Sequence, residues 1–296
     1  MFRIHHRLTL ILMLLFVTTA FGGALRMKTY GEDIRTPNLA PHSTFHYELT
    51  RALAKAAGFT ADEAERIAVI DEATDTGSFT GETKFNATLQ GTQRVSTDGL
   101  YWHFARRDRD NVTNEYIFPG GRNTCEYFTG ALNTCPGNKA ELDEIEAWAV
   151  YGRGTPSTGL PRISFDNGET FRNVSGQSLE ALAIYLHALA DSYSHEACMN
   201  AEQFRGHKPR PLECTAVDWH IDEEYGKTEA QAEGVRYTEE AGMTTWQALK
   251  WYRGQNGFLA NTKWNDAQVQ AFVKKWASFE QAEMRRELAV KVFEAL

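Results

Sequence analysis

Between residues 179 and 198 the chain reads LEALAIYLHALADSYSHEAC, and within it His187, Asp191 and His195 stand four residues apart. An α-helix turns once in about 3.6 residues, so positions i, i+4 and i+8 stack on one face. The spacing predicts a polar line of three side chains, flanked by Leu182, Leu186, Leu189 and Ala190 as packing surface. One buried histidine on an apolar helix is ordinarily a satisfied core residue. Three potential ligands in register differ, because each buried imidazole or carboxylate needs a partner and one shared cation serves them all. Further on, DWHIDEEYG repeats the spacing with His220 and Glu224. Nitrogen and oxygen ligands on two helices, without cysteine, suit zinc.

The same spacing recurs nearer the N-terminus. HSTFHYELTRALAKAAG (42–58) predicts a helix with Phe45, Leu49, Ala52, Leu53 and Ala56 inward and Gly58 as its stop. His42 and His46 form an i, i+4 pair at its start. His42 reads equally as a solvent-facing helix start, whereas His46, flanked by Phe45 and Leu49, is the better ligand. Thr60 and Glu63 form a capping box that opens a helix running to about Asp75. Asp71 and Asp75 then lie near its C-terminus, where acidic groups oppose the helix dipole. A solvated face explains one of them more easily than both. His103 lies between Trp102 and Phe104, a setting in which a lone histidine is normally packing.

These groups must be held by helices. AELDEIEAWAVYG (140–152), 238–254 and 265–296 all carry helical periodicity, the last with an Asn265-x-x-Gln268 start. Trp246, Trp251, Phe272 and Trp276 are expected to supply aromatic core. Residues 153–176 read as loop. From about 76 to 138 the text is rich in Gly, Thr, Asn and Ser without a sustained period. This irregular insertion, with short strands expected around 116–118 and 126–128, is a candidate cover for a substrate cleft. Helices thus dominate the expected elements, in one large domain or two modest ones, with no internal repeat.

Composition bounds the function. With 296 residues and 42% hydrophobic content, the chain can bury a full core. MFRIHHR, then LTLILMLLFV, then TTAFGGA form a basic start, a short apolar run and small residues for cleavage after Ala20 or Ala24. Residues 1–24 therefore read as a signal peptide, too short in its apolar run to be a transmembrane anchor, and the protein as secreted or periplasmic. Four cysteines agree with export. Sequence neighbours are the expected disulfides: Cys125 with Cys135, and Cys198 with Cys214, the latter stapling the segment between His195 and His220. The formal charge of −8 becomes about −10 once Arg3 and Arg7 leave with the signal. Such a balance does not attract long nucleic acid or anionic lipid by itself.

In chain order the candidates are His46, Asp71 or Asp75, His103, His187, Asp191, His195, His220 and Glu224. This order resembles the zinc-dependent phospholipase C superfamily and the single-strand-specific zinc nucleases that share its arrangement. The segments FHYELTRALAKAAGFTADEAERIA and LHALADSYSHE look like an uncharacterised bacterial branch. The resemblance implies an all-α, multi-helix, phospholipase C-like fold, a single domain over residues 25–296 with the irregular insertion at about 76–138, and two or three clustered zinc ions. It implies a first ion on Asp71 or Asp75 with His103, His187 and Asp191, and a second on His195, His220 and Glu224. A third would use His46 and a bridging Asp191, completed by the mature N-terminus or, since that terminus lies some twenty residues before His46, by His42. Asp75 is the first choice for the carboxylate ligand. Asp71 is the second choice, or the residue that orients bound water, so both carboxylates are candidate catalytic groups.

The implied chemistry is phosphoester hydrolysis by metal-activated water, acting on a phospholipid or another phosphodiester. The chain contains no Gly-x-Ser-x-Gly elbow and no Gly-rich phosphate loop. One alternative is an extracellular zinc nuclease, with Tyr101, Trp102 and Phe104 stacking a base. Another is a non-catalytic, metal-stabilised exported binding protein, since zinc in a closed site is structural.

Overall fold

The computed structural model describes residues 42–80, 83–92, 101–103, 141–191, 227–257, 262–279 and 282–296, with the backbone alone over 227–237. The expected signal peptide, the strands expected at 116–118 and 126–128, all four cysteines, and His195, His220 and Glu224 lie outside the described residues. Among those described, 64% are helical and 7% are in strands. The molecule is therefore mostly helical, with one small sheet that helical periodicity did not announce.

Helix α1 begins as a π-helical stretch, Thr44–Leu49, and continues as α-helix through Thr50–Ala56. The Ser43 hydroxyl caps it, accepting from the Phe45 and His46 amides. Every residue of the π-helical stretch is buried, and such widened turns occur often at functional sites. Helix α2 spans Ala61–Thr76. Its Thr60–Glu63 capping box forms as expected, and Gly77 closes it in the left-handed conformation (φ 79°) that a glycine adopts without strain. Helix α3 is Glu141–Tyr151. Helix α4, residues 179–191, starts where the Ser178 hydroxyl accepts from the Ala181 amide. From Glu180 to Asp191 it is buried on every side, which is how a helix with so few polar residues is accommodated. Helices α5 (Lys227–Gln255), α6 (Asp266–Ala277) and α7 (Ala282–Ala295) complete the helical set.

Three expectations are corrected here. The stretch 265–296 is two helices. Buried Arg285 donates to the carbonyls of Ala277 and Phe279 and lies 4.6 Å over the Trp276 ring, satisfying the end of α6 and turning the chain. Trp251 is 54% exposed and not core. It lies five residues after buried Trp246, about 140° around the helix. Finally, the loop 153–176 and the start of the irregular insertion contribute a four-stranded antiparallel meander: β1 (Ser78–Phe79), β2 (Ala87–Gln90), β3 (Arg162–Ser164) and β4 (Arg172–Asn173). Strands of two to four residues are too short to display the alternation by which strands are read.

One core joins these elements. Phe45, Leu49 and Leu53 of α1 meet Ile67 and Ile70 of α2, Leu182, Leu186 and Leu189 of α4, Trp246 of α5, and Val273 and Trp276 of α6. Gly242 of α5 is closely packed: a Cβ there would lie 2.7 Å from Val273 Cγ1 and 3.5 Å from Leu49 Cδ2. The sheet borders α2, and just beyond β2 it delivers Thr92 to the interior.

Candidate metal centre

Three helices and one short helical piece converge on a polar group inside this apolar core. Helix α1 contributes His46, α2 contributes Asp71 and Asp75, and α4 contributes His187 and Asp191. His103 enters from residues 101–103. Of these six, His46, Asp71, His103, His187 and Asp191 show no exposed surface, and Asp75 is 6% exposed. Tyr101 and Trp102 hold the His103 piece in place. The Tyr101 hydroxyl donates to Glu144 of α3, and Trp102 packs edge-on against Trp148. Both rings are buried, so neither offers a face to a nucleobase. Phe104 lies outside the described residues.

The hydrogen bonds fix which ring nitrogens face inward. Asp71 Oδ1 lies 2.9 Å from His46 Nδ1 and 3.1 Å from His187 Nδ1, while its Oδ2 accepts from the Thr50 hydroxyl at 2.9 Å. A carboxylate accepts and does not donate, so with no ion between them both Nδ1 atoms carry hydrogen. His103 Nε2 lies 2.9 Å from the Thr92 carbonyl oxygen, another pure acceptor, and so carries hydrogen as well. The opposite ring nitrogens then turn toward Asp191. His103 Nδ1 is 2.8 Å and His187 Nε2 3.1 Å from Asp191 Oδ2, and the two nitrogens are 2.9 Å apart. His46 Nε2 lies 3.4 Å from the other oxygen, Asp191 Oδ1. The His46 and His187 rings stack at 4.0 Å.

With neutral imidazoles, three lone pairs thus meet within hydrogen-bonding distance and no proton lies between them. A cation among the three would satisfy that arrangement. A tetrahedral zinc site with ligands at 2.0–2.1 Å separates its donor atoms by about 3.3 Å, near the 2.8–3.1 Å found here. Ligand atoms of Asp75, His103 and His187 lie within 4.8 Å of one another, as do those of His46, Asp71 and His187. These buried His/Asp clusters could hold a metal ion.

The alternative cation is the proton. Burial alone would lower the His46 pKa, but the Asp71 and Asp191 carboxylates outweigh it and raise it well above the ordinary range. Burial likewise opposes charging of His187, yet Asp191 foremost, against the repulsion of His46, lifts it to about 9. His103 is lowered, chiefly by burial, with the charge of His187 adding to the effect of burial and Asp191 opposing it. Without metal, these directions favour charged His46 and His187 rings facing Asp71 and Asp191, beside a neutral His103.

No protein-family model, curated protein or solved structure matches the chain.

The structure therefore brings together His46, Asp71, Asp75, His103, His187 and Asp191. His42 belongs to neither cluster; its ring stacks on Phe79 at 4.5 Å and lies 5.1 Å from that of Tyr47. Two contributors escaped sequence reasoning. Thr50 lies four residues after His46 and on its face, a signal that was present. The Thr92 carbonyl is a backbone atom and left no signal.

Proposed function

We propose that the chain is an exported, metal-dependent phosphoester hydrolase, with phospholipid headgroups as its foremost substrate class. The observation that carries the reading is the convergence of His103 Nδ1, His187 Nε2 and Asp191 Oδ2 within 3.1 Å, deep in the core. The order of ligands along the sequence supports it, and the basic and apolar leader pattern of residues 1–24 supports export.

His103, His187, Asp191 and Asp75 would hold one ion. Asp191, offering its second oxygen toward His46 Nε2, would share a further ion with that ring, and His195, His220 and Glu224 remain the expected ligands of another. Zinc so held lowers the pKa of bound water to roughly 7 and polarises a phosphoryl oxygen. The protein's own contribution is orientation. Asp71 and the Thr92 carbonyl hold the ring hydrogens of three histidines, Asp191 presents one oxygen to each ligand group, and Asp75 supplies a carboxylate able to accept a proton. Among the described residues no helix is long and apolar enough to cross a membrane.

The complete burial of five of these side chains favours a second reading, in which the ion is structural and the site closed. One experiment separates the two. The purified mature chain is analysed for transition metals and assayed on a chromogenic phosphodiester, on phosphatidylcholine vesicles and on single-stranded DNA. Bound zinc with lipid turnover that is lost on chelation and regained on zinc addition supports the hydrolase. Zinc whose removal unfolds the chain, with no turnover of any substrate, supports the structural centre. Turnover of DNA alone would make it a nuclease, and a chain that takes up no transition metal would end both metal readings.

A further inference from the structure

Asp71 stands out because its contacts do not suit the ligand role that its place in the sequence suggests. Its Oδ1 faces two ring nitrogens from different helices, His46 Nδ1 on α1 and His187 Nδ1 on α4, at 2.9 and 3.1 Å. Its Oδ2 accepts from Thr50. Three of its four lone-pair directions are therefore taken by hydrogen donors of the chain. Were Asp71 a ligand together with His46 and His187, the ion would have to replace both ring hydrogens at Nδ1. The two Nε2 atoms would then carry the ring hydrogens toward Asp191, and His103 Nδ1 and Asp191 Oδ2, 2.8 Å apart, would have only the His187 hydrogen to share between them. Aimed the other way, the same rings place both Nε2 atoms on Asp191, His187 within reach of His103 Nδ1 as well.

We propose that Asp71 is the positioning residue of the centre: one carboxylate oxygen fixes the tautomer of two histidines on separate helices and so aims both Nε2 atoms at the metal. The inference rests on the metal reading of the site and deepens it. Carboxylates commonly orient metal-bound histidines through the second ring nitrogen and raise their basicity. Here a single oxygen serves two rings, so one substitution reaches both ligand groups that Asp191 bridges. Thr50 keeps the carboxylate from rotating, and the stacked His46 and His187 rings share the orientation it sets.

Cadmium NMR on the nitrogen-labelled, metal-loaded wild-type chain tests this without any variant. The expected result is scalar coupling between cadmium and Nε2 of His46 and His187, with the Nδ1 hydrogens retained. Coupling through Nδ1 of either ring would overturn the proposal. In parallel, Asp71→Asn keeps the acceptor oxygen and removes the charge. It is expected to bind the same number of zinc ions per chain as wild type, with those held by His46 and His187 bound about 10–100-fold more weakly. One ion fewer per chain would make Asp71 a ligand, and unchanged affinity would deny it a role; either result overturns the inference while leaving the metal site standing. Wild-type protein that takes up neither cadmium nor zinc would overturn the metal reading itself, and this inference with it.

Discussion

Helix α1 carries two polar clusters, one buried and one partly buried, and they are neutralised in opposite ways. On one face His46 and Thr50 join Asp71, Asp191, His187 and His103. On another, Glu48 and Arg51 join Glu65 of α2 and Arg286 of α7. Arg51 lies 3.0 Å from Glu48 Oε2 and 3.1 Å from Glu65 Oε2, Arg286 lies 3.1 Å from Glu48 Oε1, and the Tyr47 hydroxyl donates to Glu65. Burial pushes the Glu48 carboxyl up, while Arg51 and Arg286 pull it back. In this second cluster every carboxylate faces a guanidinium that never loses its charge. In the first, the cations found among the described residues are imidazoles, which can give their protons up. The difference is between a cluster closed by the chain itself and one whose cation is exchangeable.

Substitutions sharpen that contrast. The largest effect is expected from His187→Ala, which removes the ring shared by both ligand groups. Zinc affinity should fall by more than the roughly 100-fold that marks the upper range for outer residues, and any phosphodiester turnover should vanish with it. Metal content after dialysis checks this, and full retention would show that the two clusters do not differ as described. Arg51→Ala should act on the other side of the comparison. It strips buried Glu48 and Glu65 of a shared cation, costing about 3 kcal/mol in chemical denaturation, with the zinc content per folded chain unchanged.

The pH response is expected to differ in sign between the two states of the centre. In metal-free protein the folded-state pKa of His187, about 9, lies above its ordinary 6.5, so its contribution is fully present below 6.5 and is lost as pH rises through about 9. His46 acts in the same direction. The thermal midpoint in chelator should therefore fall from pH 6.5 to 9. With zinc, binding displaces those protons, so affinity, and the stability linked to it, should rise over the same interval. Parallel melts decide, and identical slopes would remove the exchangeable-cation argument. The smallest effect is expected from Thr60→Ala, which breaks the α2 capping box far from either cluster. It should cost about 1 kcal/mol and leave metal affinity and pH response alone.

The parts legible beforehand are those governed by neighbours in sequence. The His187–Asp191 register, the Thr60–Glu63 and Asn265–Gln268 starts, and the Leu182, Leu186 and Leu189 packing surface all follow from a helical repeat acting over a few residues. The break after Ala277 was not legible, because the group that stabilises it, Arg285, lies in the following helix and would pass for a surface charge. The strands were hidden by their brevity. Exposed Trp251 was misassigned because hydrophobicity alone does not say which side of a long helix meets the core.

The centre divides along the same line. The sequence by itself determined which side chains could serve as ligands and, where two share a helix, that they point the same way, since 3.6 residues per turn is a local rule. Tertiary structure decided the rest. It placed a histidine of the irregular insertion against Asp191, 88 residues away, and joined His46 to His187 through one oxygen of Asp71. It also enlisted the Thr92 carbonyl, an atom that every residue possesses. Such contacts arise only when separate elements pack into one core, where a buried polar atom must find its partner wherever the fold has put one.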